Sequence, residues 1–405
     1  MCSVPSAKGF VRGARRIRKL AAYVLNLPVY WLTRISPRSP RRWVFGAWQG
    51  ERYADNPRHL VEYVKKMDSS IECVWLATSR AALAEARATG VRAVHSYSAR
   101  GYWLAATAGV AVVSGGQDDV NRYVCPPIVV NLWHGAPVVK KIGRASDLVQ
   151  RRVDRQRLFN MLFPFHVGRV AQAYIAASGD EVLSLRAAFD APEGSVFVTG
   201  FPRTDVLCAT AASERRRGSV DILYAPTFRD LDPTLPIRLI RDHEELLANR
   251  LAELDAKLHV RLHPHTKVSP GSAGRGRILV SQGPYNRPDV NSILKDVDIL
   301  LTDYSSIFVD FLLTGRPVVF APFDLAAYVS TERELAAGYG SVEVTPGPIC
   351  HDWREVLDVL ALLVRGEDRW SSAREDGARV HHEFRDGNSS QRVYELVKRV
   401  SGCSE

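Results

Sequence analysis

The segment LLTDYSSIFVDFLLTGRPVVF, residues 300–320, constrains the fold more than any other stretch of this chain. An apolar run, a polar turn, an amphipathic run and a second apolar run read as buried strand, turn, helix and buried strand. That is one half of a nucleotide-binding α/β fold. The turn Thr302, Asp303, Tyr304, Ser305, Ser306 falls where a strand's carboxyl end meets a helix amino terminus. Free backbone N–H groups and the helix dipole favour phosphate there, so a phosphorylated donor is the first expectation.

The same grammar runs along the whole chain. From residue 43 the runs RRWVFGAW, IECVWLAT, WLAATAGVAVVS and PPIVVNLWHG alternate with helical patterns, and DILYAPT, HVRLHPH, ILVSQG and DILLTDYSS do so after a cation-rich break at residues 213–218. Strands alternating with helices imply parallel sheets covered on both faces. A chain of 405 residues is too long for one ordinary core, and two domains fit best. The expected division is a basic arm over residues 1–42, an acceptor-side α/β domain over 43–205, and a nucleotide-binding α/β domain with a carboxyl-terminal helix over 206–405. A cleft between two such domains is the default place for a ligand.

Residues 1–42 hold ten cations and no Asp or Glu, whereas the rest of the chain balances at 44 cations and 44 anions. Between those cations lies LAAYVLNLPVYWLT, residues 20–33, shorter than the ~20 residues that span a bilayer and interrupted by Pro28. Cationic flanks with Tyr23, Tyr30 and Trp31 suit an interfacial anchor on anionic lipid. A signal peptide is disfavoured because no small-residue cleavage site follows. A disordered arm, or a helix packed on the domain, is the plain alternative. A nucleic-acid role is disfavoured, because the basic excess is confined to this arm and no recognition motif accompanies it. Six dispersed cysteines suggest neither a zinc site nor a disulfide framework.

Five clusters at predicted strand ends carry chemistry. In NLWHGAP, His134 could serve as a general base on a hydroxyl, with Gly135 beside it and Lys140, Lys141 and Arg144 beyond; the ring could equally cap its loop. In GFPRTDVL, Arg203 could grip phosphate or make a structural pair with an Asp. In YAPTFRD, Thr227 and Arg229 could reach a diphosphate. In RLHPH, Arg261, His263 and His265 alternate and project to one side of an extended segment. A metal reading of the two histidines lacks a third ligand of recognisable spacing. The fifth cluster is the turn Asp303, Tyr304, Ser305, Ser306, whose serines could cap the helix or donate to phosphate. No P-loop, G-x-G-x-x-G or G-x-S-x-G spacing is present.

Taken in order, NLWHGAP, GFPRTDVL, ILYAPTFRD, RLHPH, LTDYSSIFVDFLLTGRPVVFAPFDLAAY and FRDGNSSQRV resemble the CDP-glycerol glycerophosphotransferase family of teichoic acid synthesis, over about residues 43–400. The resemblance implies a GT-B architecture in which glycerol phosphate passes from CDP-glycerol to a hydroxyl of a lipid-linked saccharide or polyol-phosphate acceptor and CMP leaves. It implies His134 as base and His263 and His265 as leaving-group partners. Arg229, Ser305 and Ser306 would hold the diphosphate with those histidines, Asp303 would orient the loop, and Arg203 and Thr227 are second choices. Arg261 and Tyr304 complete the expected substrate-binding set. No cofactor is expected, and a divalent metal is possible without being obligatory. The expected place is the cytoplasmic face of the cell membrane, held peripherally. Departures at Ala136 and in the VVKK segment bear on acceptor or polyol choice. Without the long amino-terminal region of many polymerases, addition of one or a few units is as consistent with the pattern as polymerisation. The alternatives are a CDP-ribitol or other CDP-polyol transferase, a GT-B nucleotide-sugar transferase, and a non-catalytic membrane-bound scaffold.

Overall fold

The computed structural model describes residues 7–136, 143, 157–166, 170–209, 218–262, 266, 275–280, 289–331, 335, 339–341 and 344–403, and of residues 7–17, 157 and 331 the backbone alone. Valine-, isoleucine- and leucine-rich runs form strands because a parallel sheet covered on both faces removes every side chain from water. β1 (Ser39–Gly46), β2 (Glu72–Ala77), β3 (Arg92–His95), β4 (Ala108–Val113), β5 (Ile128–Asn131), β6 (Ala173–Ala176) and β7 (Val196–Val198) make one sheet in the order 3-2-1-4-5-6-7. β8 (Val220–Ala225), β9 (Ala256–Val260), β10 (Ile278–Val280), β11 (Ile299–Thr302) and β12 (Val318–Phe320) make a second in the order 10-9-8-11-12. Every pairing in both sheets is parallel.

The strand order reverses between β1 and β4 in the first sheet and between β8 and β11 in the second. At such points the crossovers depart to opposite faces and leave a crevice at the strands' carboxyl ends, which is where open α/β sheets take ligands. Apolar layers cover both faces of each sheet, around Trp43, Phe45 and Trp75 in the first and Tyr224, Phe308 and Phe320 in the second.

The final helix, Ser389–Ser401, departs from the sequence grouping. Although it follows the second domain in sequence, its Val393, Leu396 and Val397 insert into the core of the first. Asp205 fixes its start, because the two carboxylate oxygens accept from the Ser389 and Ser390 N–H groups at 2.9 and 2.8 Å. The motifs GFPRTD and GNSS are therefore the two sides of one helix cap.

The amino-terminal segment is a helix, Ala7–Thr33, which continues through Pro28. Proline removes one backbone donor and crowds the preceding turn, costing about 3 kcal/mol in a free helix. Packing offsets that cost: Tyr23 and Tyr30, seven residues apart on one stripe, are buried against Phe163, Phe165 and Cys125. These two tyrosines are therefore core residues and not lipid contacts, a correction to the expected anchor. Arg38 is also taken up by the fold, donating to the Thr33, Cys125 and Ala108 carbonyls, and Arg42 pairs with Glu72. The opposite stripe exposes Leu20, Val24, Leu25, Trp31 and Leu32, with Ile35 just beyond the helix. No helix among the described residues is long and apolar enough to cross a membrane.

Candidate active site

His134 stands three residues beyond β5, at the carboxyl edge of the first sheet. Asn131 shapes the turn before it, accepting from Trp133 N–H at 2.9 Å and donating to the Gly115 carbonyl at 3.2 Å. Trp133 takes left-handed backbone (φ 49°), unusual for so bulky a residue, and this swings His134 out to an exposed position. The imidazole Nδ1 lies 3.0 Å from the Ser114 carbonyl. A carbonyl only accepts, so Nδ1 carries the hydrogen and the neutral ring presents its Nε2 lone pair. The Trp133 and Trp48 rings, with centroids 4.0 and 5.5 Å away, fix the plane of the imidazole.

Behind Ser114 lies a carboxylate that sequence reasoning passed over. Asp119 is buried, and it accepts from the N–H groups of Ser114 (2.9 Å), Gly115 (2.7 Å) and Gln49 (2.7 Å). Burial raises its pKa above the ordinary carboxylate value, against the lowering effect of those N–H donors. Asp119 thereby ties the loop after β1 to the loop after β4 and sets the carbonyl that orients His134.

The edge of the second sheet comes to meet this turn. A Cβ on Gly135 would lie 3.1 Å from Ser306 Oγ, so a side chain at that position would crowd the serine. Ser305 and Ser306 are half-buried and precede the helix Ile307–Leu312. Asp303 holds their turn: its Oδ1 accepts from Thr227 N–H at 2.8 Å and Tyr304 N–H at 2.6 Å, while Oδ2 accepts from Arg229 at 2.8 Å. Half-buried Arg261 starts the segment beyond β9, its N–H bonded to the Tyr224 carbonyl.

Three of the expected substrate-binding residues are otherwise employed. The Arg229 guanidinium is 5% exposed and donates to Asp324, Asp303 and the Thr227 carbonyl. Tyr304 is fully buried, stacked on Tyr328 at 4.1 Å, with its hydroxyl donating to Asp324. Arg203, 4% exposed, grips Asp310 through Nε and an Nη at 2.7 and 3.1 Å, and Asp55 through the other Nη at 3.0 Å. Burial works against its charge, yet Asp310 and Asp55 more than reverse that and raise its pKa above the ordinary arginine value. Its expected phosphate role gives way to the structural alternative. Asp55 opens the helix Asp55–Met67 of the first domain and Asp310 lies in a helix of the second, so Arg203 joins the two. A charge inside the apolar run IFVDFLL was the available signal for Asp310. His263, His265, Lys140, Lys141 and Arg144 lie outside the described residues.

A second seam runs beside the first. His59 Nε2 is 2.8 Å from Asp289 Oδ2, with Arg58 at 3.7 Å. Burial lowers the His59 pKa, but the Asp289 charge and hydrogen bond outweigh it and leave it raised; the Asp289 pKa is lowered, because His59 and Arg58 outweigh its own burial.

A family model described as CDP-Glycerol:Poly(glycerophosphate) glycerophosphotransferase matches residues 29–399. A teichoic acid poly(glycerol phosphate) polymerase of Staphylococcus epidermidis is 22% identical over 76% of this chain and 44% of its own length. The ribitol-phosphate polymerase TarL of Staphylococcus aureus is 28% identical over 68% of this chain and 48% of its own. The chain thus spans about half the length of these two relatives. A teichoic acid glycerol-phosphate transferase of S. aureus is 25% identical over 87% of this chain and 92% of its own length. Among solved structures, the wall teichoic acid polymerase TagF superimposes with a TM-score of 0.72 at 18% identity, covering 98% of this chain and 99% of that one. The fold is the GT-B pair of α/β domains that the sequence led us to expect.

Proposed function

Since the chain belongs to the CDP-glycerol:poly(glycerophosphate) glycerophosphotransferase family, we propose that it transfers glycerol phosphate from CDP-glycerol to a hydroxyl of a lipid-linked, teichoic-acid-like acceptor, releasing CMP. The observation that carries this reading is His134, whose tautomer is set by the Ser114 carbonyl so that Nε2 is the accepting atom, on a turn that meets Ser306 of the other domain. In the proposed step the acceptor hydroxyl loses its proton to Nε2. Its oxygen then attacks the phosphorus that carries glycerol, and the bridging oxygen departs with CMP. Ser305, Ser306 and Thr227 surround the diphosphate, with Arg261, His263 and His265 neutralising the charge that builds on it. Arg229 and Asp303 act one step back, by holding the Ser305–Ser306 turn in place.

A CDP-ribitol donor is the second reading, favoured by a ribitol-phosphate polymerase among the similar proteins. The experiment is CMP release from CDP-glycerol and CDP-ribitol with a lipid-linked disaccharide acceptor. Release that needs the acceptor and falls by roughly 10²–10⁴-fold in His134→Ala is expected, and the better donor names the polyol. Absence of release from both donors would overturn the reading in favour of a nucleotide-sugar transferase or a scaffold.

The exposed stripe of the amino-terminal helix, with Arg18, Lys19 and Arg34 also exposed, supports peripheral binding to an anionic membrane surface at its cytoplasmic face. Exposed Leu158, Met161 and Leu162 extend it, on a helix whose Phe159 lies 6.0 Å from Tyr23. Truncation is a poor test, because it also strips Tyr23 and Tyr30 from the core. Leu25→Glu with Ile35→Glu leaves that core intact and should weaken binding to phosphatidylserine vesicles at least tenfold; unchanged binding would remove the surface from the model of action.

A further inference from the structure

At the start of the helix Asp55–Met67 stands a residue that belongs to none of the five sequence clusters. Asn56 is fully buried, and every polar atom of its side chain is engaged. The amide nitrogen donates to the Leu132 and Trp133 carbonyls, each at 2.9 Å, and Oδ1 accepts from the Arg203 N–H at 3.1 Å. Only this orientation fits, because the reversed amide would set its oxygen against two carbonyls and its nitrogen against an N–H.

The two carbonyls belong to the two peptides that flank Trp133. The first of these peptides is held at its other end as well, where Asn131 Oδ1 accepts from the Trp133 N–H. The second leads into His134. Both planes around Trp133 are thus held, and Trp133 is the residue with left-handed backbone. A bulky side chain stays in that region only where its surroundings over-determine it. Rotation of the second plane would swing the imidazole away from the Ser114 carbonyl that sets its tautomer.

The same amide is tied to the second domain. Arg203, whose N–H meets Asn56, grips Asp310 in the helix that follows Ser305 and Ser306, and Asn291 donates to that carboxylate at 2.8 Å. Asp55, itself in left-handed backbone (φ 68°), accepts from both the Arg203 guanidinium and the Asn56 N–H. A continuous run of hydrogen bonds therefore leads from the helix behind the serines, through Arg203 and Asn56, to the peptide that carries His134.

We propose that Asn56 is a positioning residue for His134: it keeps Trp133 left-handed and holds the imidazole in register with the Ser305–Ser306 turn of the other domain. The inference rests on the reading of His134 as the base and adds the residue that places it.

Two readouts separate this role from plain stability. In the full chain carrying isotope-labelled histidine, the imidazole nitrogen signals missing from His134→Ala are those of His134, and their shifts report which nitrogen bears the hydrogen. The native neutral ring should show it on Nδ1. Asn56→Ala should move these signals towards a mixture of tautomers, while Val61→Ala, a core truncation in the same helix, should leave them in place. In CMP release, Asn56→Ala should lower kcat by roughly 10–100-fold with the donor KM held within about twofold. In the His134→Ala background the same change should cost almost nothing further, because a residue that acts through the imidazole has nothing left to place. His134 signals that stay in place in Asn56→Ala, a kcat that does not fall in an active enzyme, or losses that multiply in the double variant would overturn the inference. Should Asn56→Ala fail to fold, Asn56→Asp decides it in the same way, since it keeps the shape and the oxygen facing Arg203 but removes the donors to both carbonyls. If the signals move as stated and the native protein releases no CMP, the placement stands and the transferase reading falls.

Discussion

Asp119 in the first domain and Asp303 in the second do the same job at equivalent places. Each follows the strand that flanks the switch point, β4 or β11, and each accepts an N–H from the loop after the neighbouring strand, Gln49 after β1 and Thr227 after β8. The difference is what balances the charge. Asp303 has a buried arginine, Arg229, on its second oxygen, whereas Asp119 is met by N–H groups and the Ser114 hydroxyl. A carboxylate held by backbone donors ties two loops without adding a cation, and so leaves His134 beside neutral indoles. The second domain spends an arginine on the rigidity of its turn, and that turn brings Ser306 against Gly135 of the first domain. Two copies of one device thus brace the turn that bears His134 on one side and the turn that bears Ser305 and Ser306 on the other.

Removing the carboxylate separates the two cases. Asp303→Ala leaves a desolvated arginine short of a partner, and the expected loss is about 3–5 kcal/mol in denaturant unfolding. A loss below about 1 kcal/mol would mean that Asp324 alone satisfies Arg229. Asp119→Asn should cost less, about 1–3 kcal/mol, because an amide keeps one acceptor oxygen for the backbone donors. Its signature is kinetic: kcat and its pH profile shift as the Ser114 carbonyl relaxes, while the donor KM holds. An unchanged pH profile would confine Asp119 to stability.

The smallest effect belongs to the seam between the domains. The folded-state pKa of His59 is raised above its ordinary 6.5, so its contribution is complete below that value and is lost as pH rises through the folded one. Native protein should exceed His59→Gln by on the order of 1 kcal/mol at pH 6, with the gap shrinking towards pH 9. A gap that is flat with pH would show that His59 packs there uncharged.

The alternating grammar of strands and helices was legible because buried parallel strands admit few polar residues, and the reading of 300–320 as strand, turn, helix and strand corresponds to β11, the Asp303–Ser306 turn, Ile307–Leu312 and β12. The position of His134 at a strand end was legible for the same reason. What a local reading could not supply was the state of a side chain's partners. Arg203, Arg229 and Tyr304 sit in phosphate-like motifs, but Asp310, Asp55 and Asp324 lie 107, 148 and 95 residues from the arginines they bind. Asp119 and Trp48 lie in no motif: Asp119 matters through the Gln49, Ser114 and Gly115 N–H groups it receives and Trp48 through a left-handed backbone, neither of which letters display. For Tyr23 and Tyr30 the sequence leaves a lipid anchor and a helix packed on the domain both open, because an aromatic stripe looks alike whether it faces a bilayer or Phe163 and Phe165, and the structure gives the packed helix.

The return of the last helix to the first domain sets an order of events. Synthesis delivers residues 39–198, with all seven strands of the first sheet, long before it delivers Val393, Leu396 and Val397, which complete the packing on that sheet. The earlier domain must wait, that apolar face covered only in part by Leu60, Val61 and Val64, until the ribosome has finished the later one. A chain cut short by even its last fifteen residues therefore loses cover from the half of the molecule farthest from the cut.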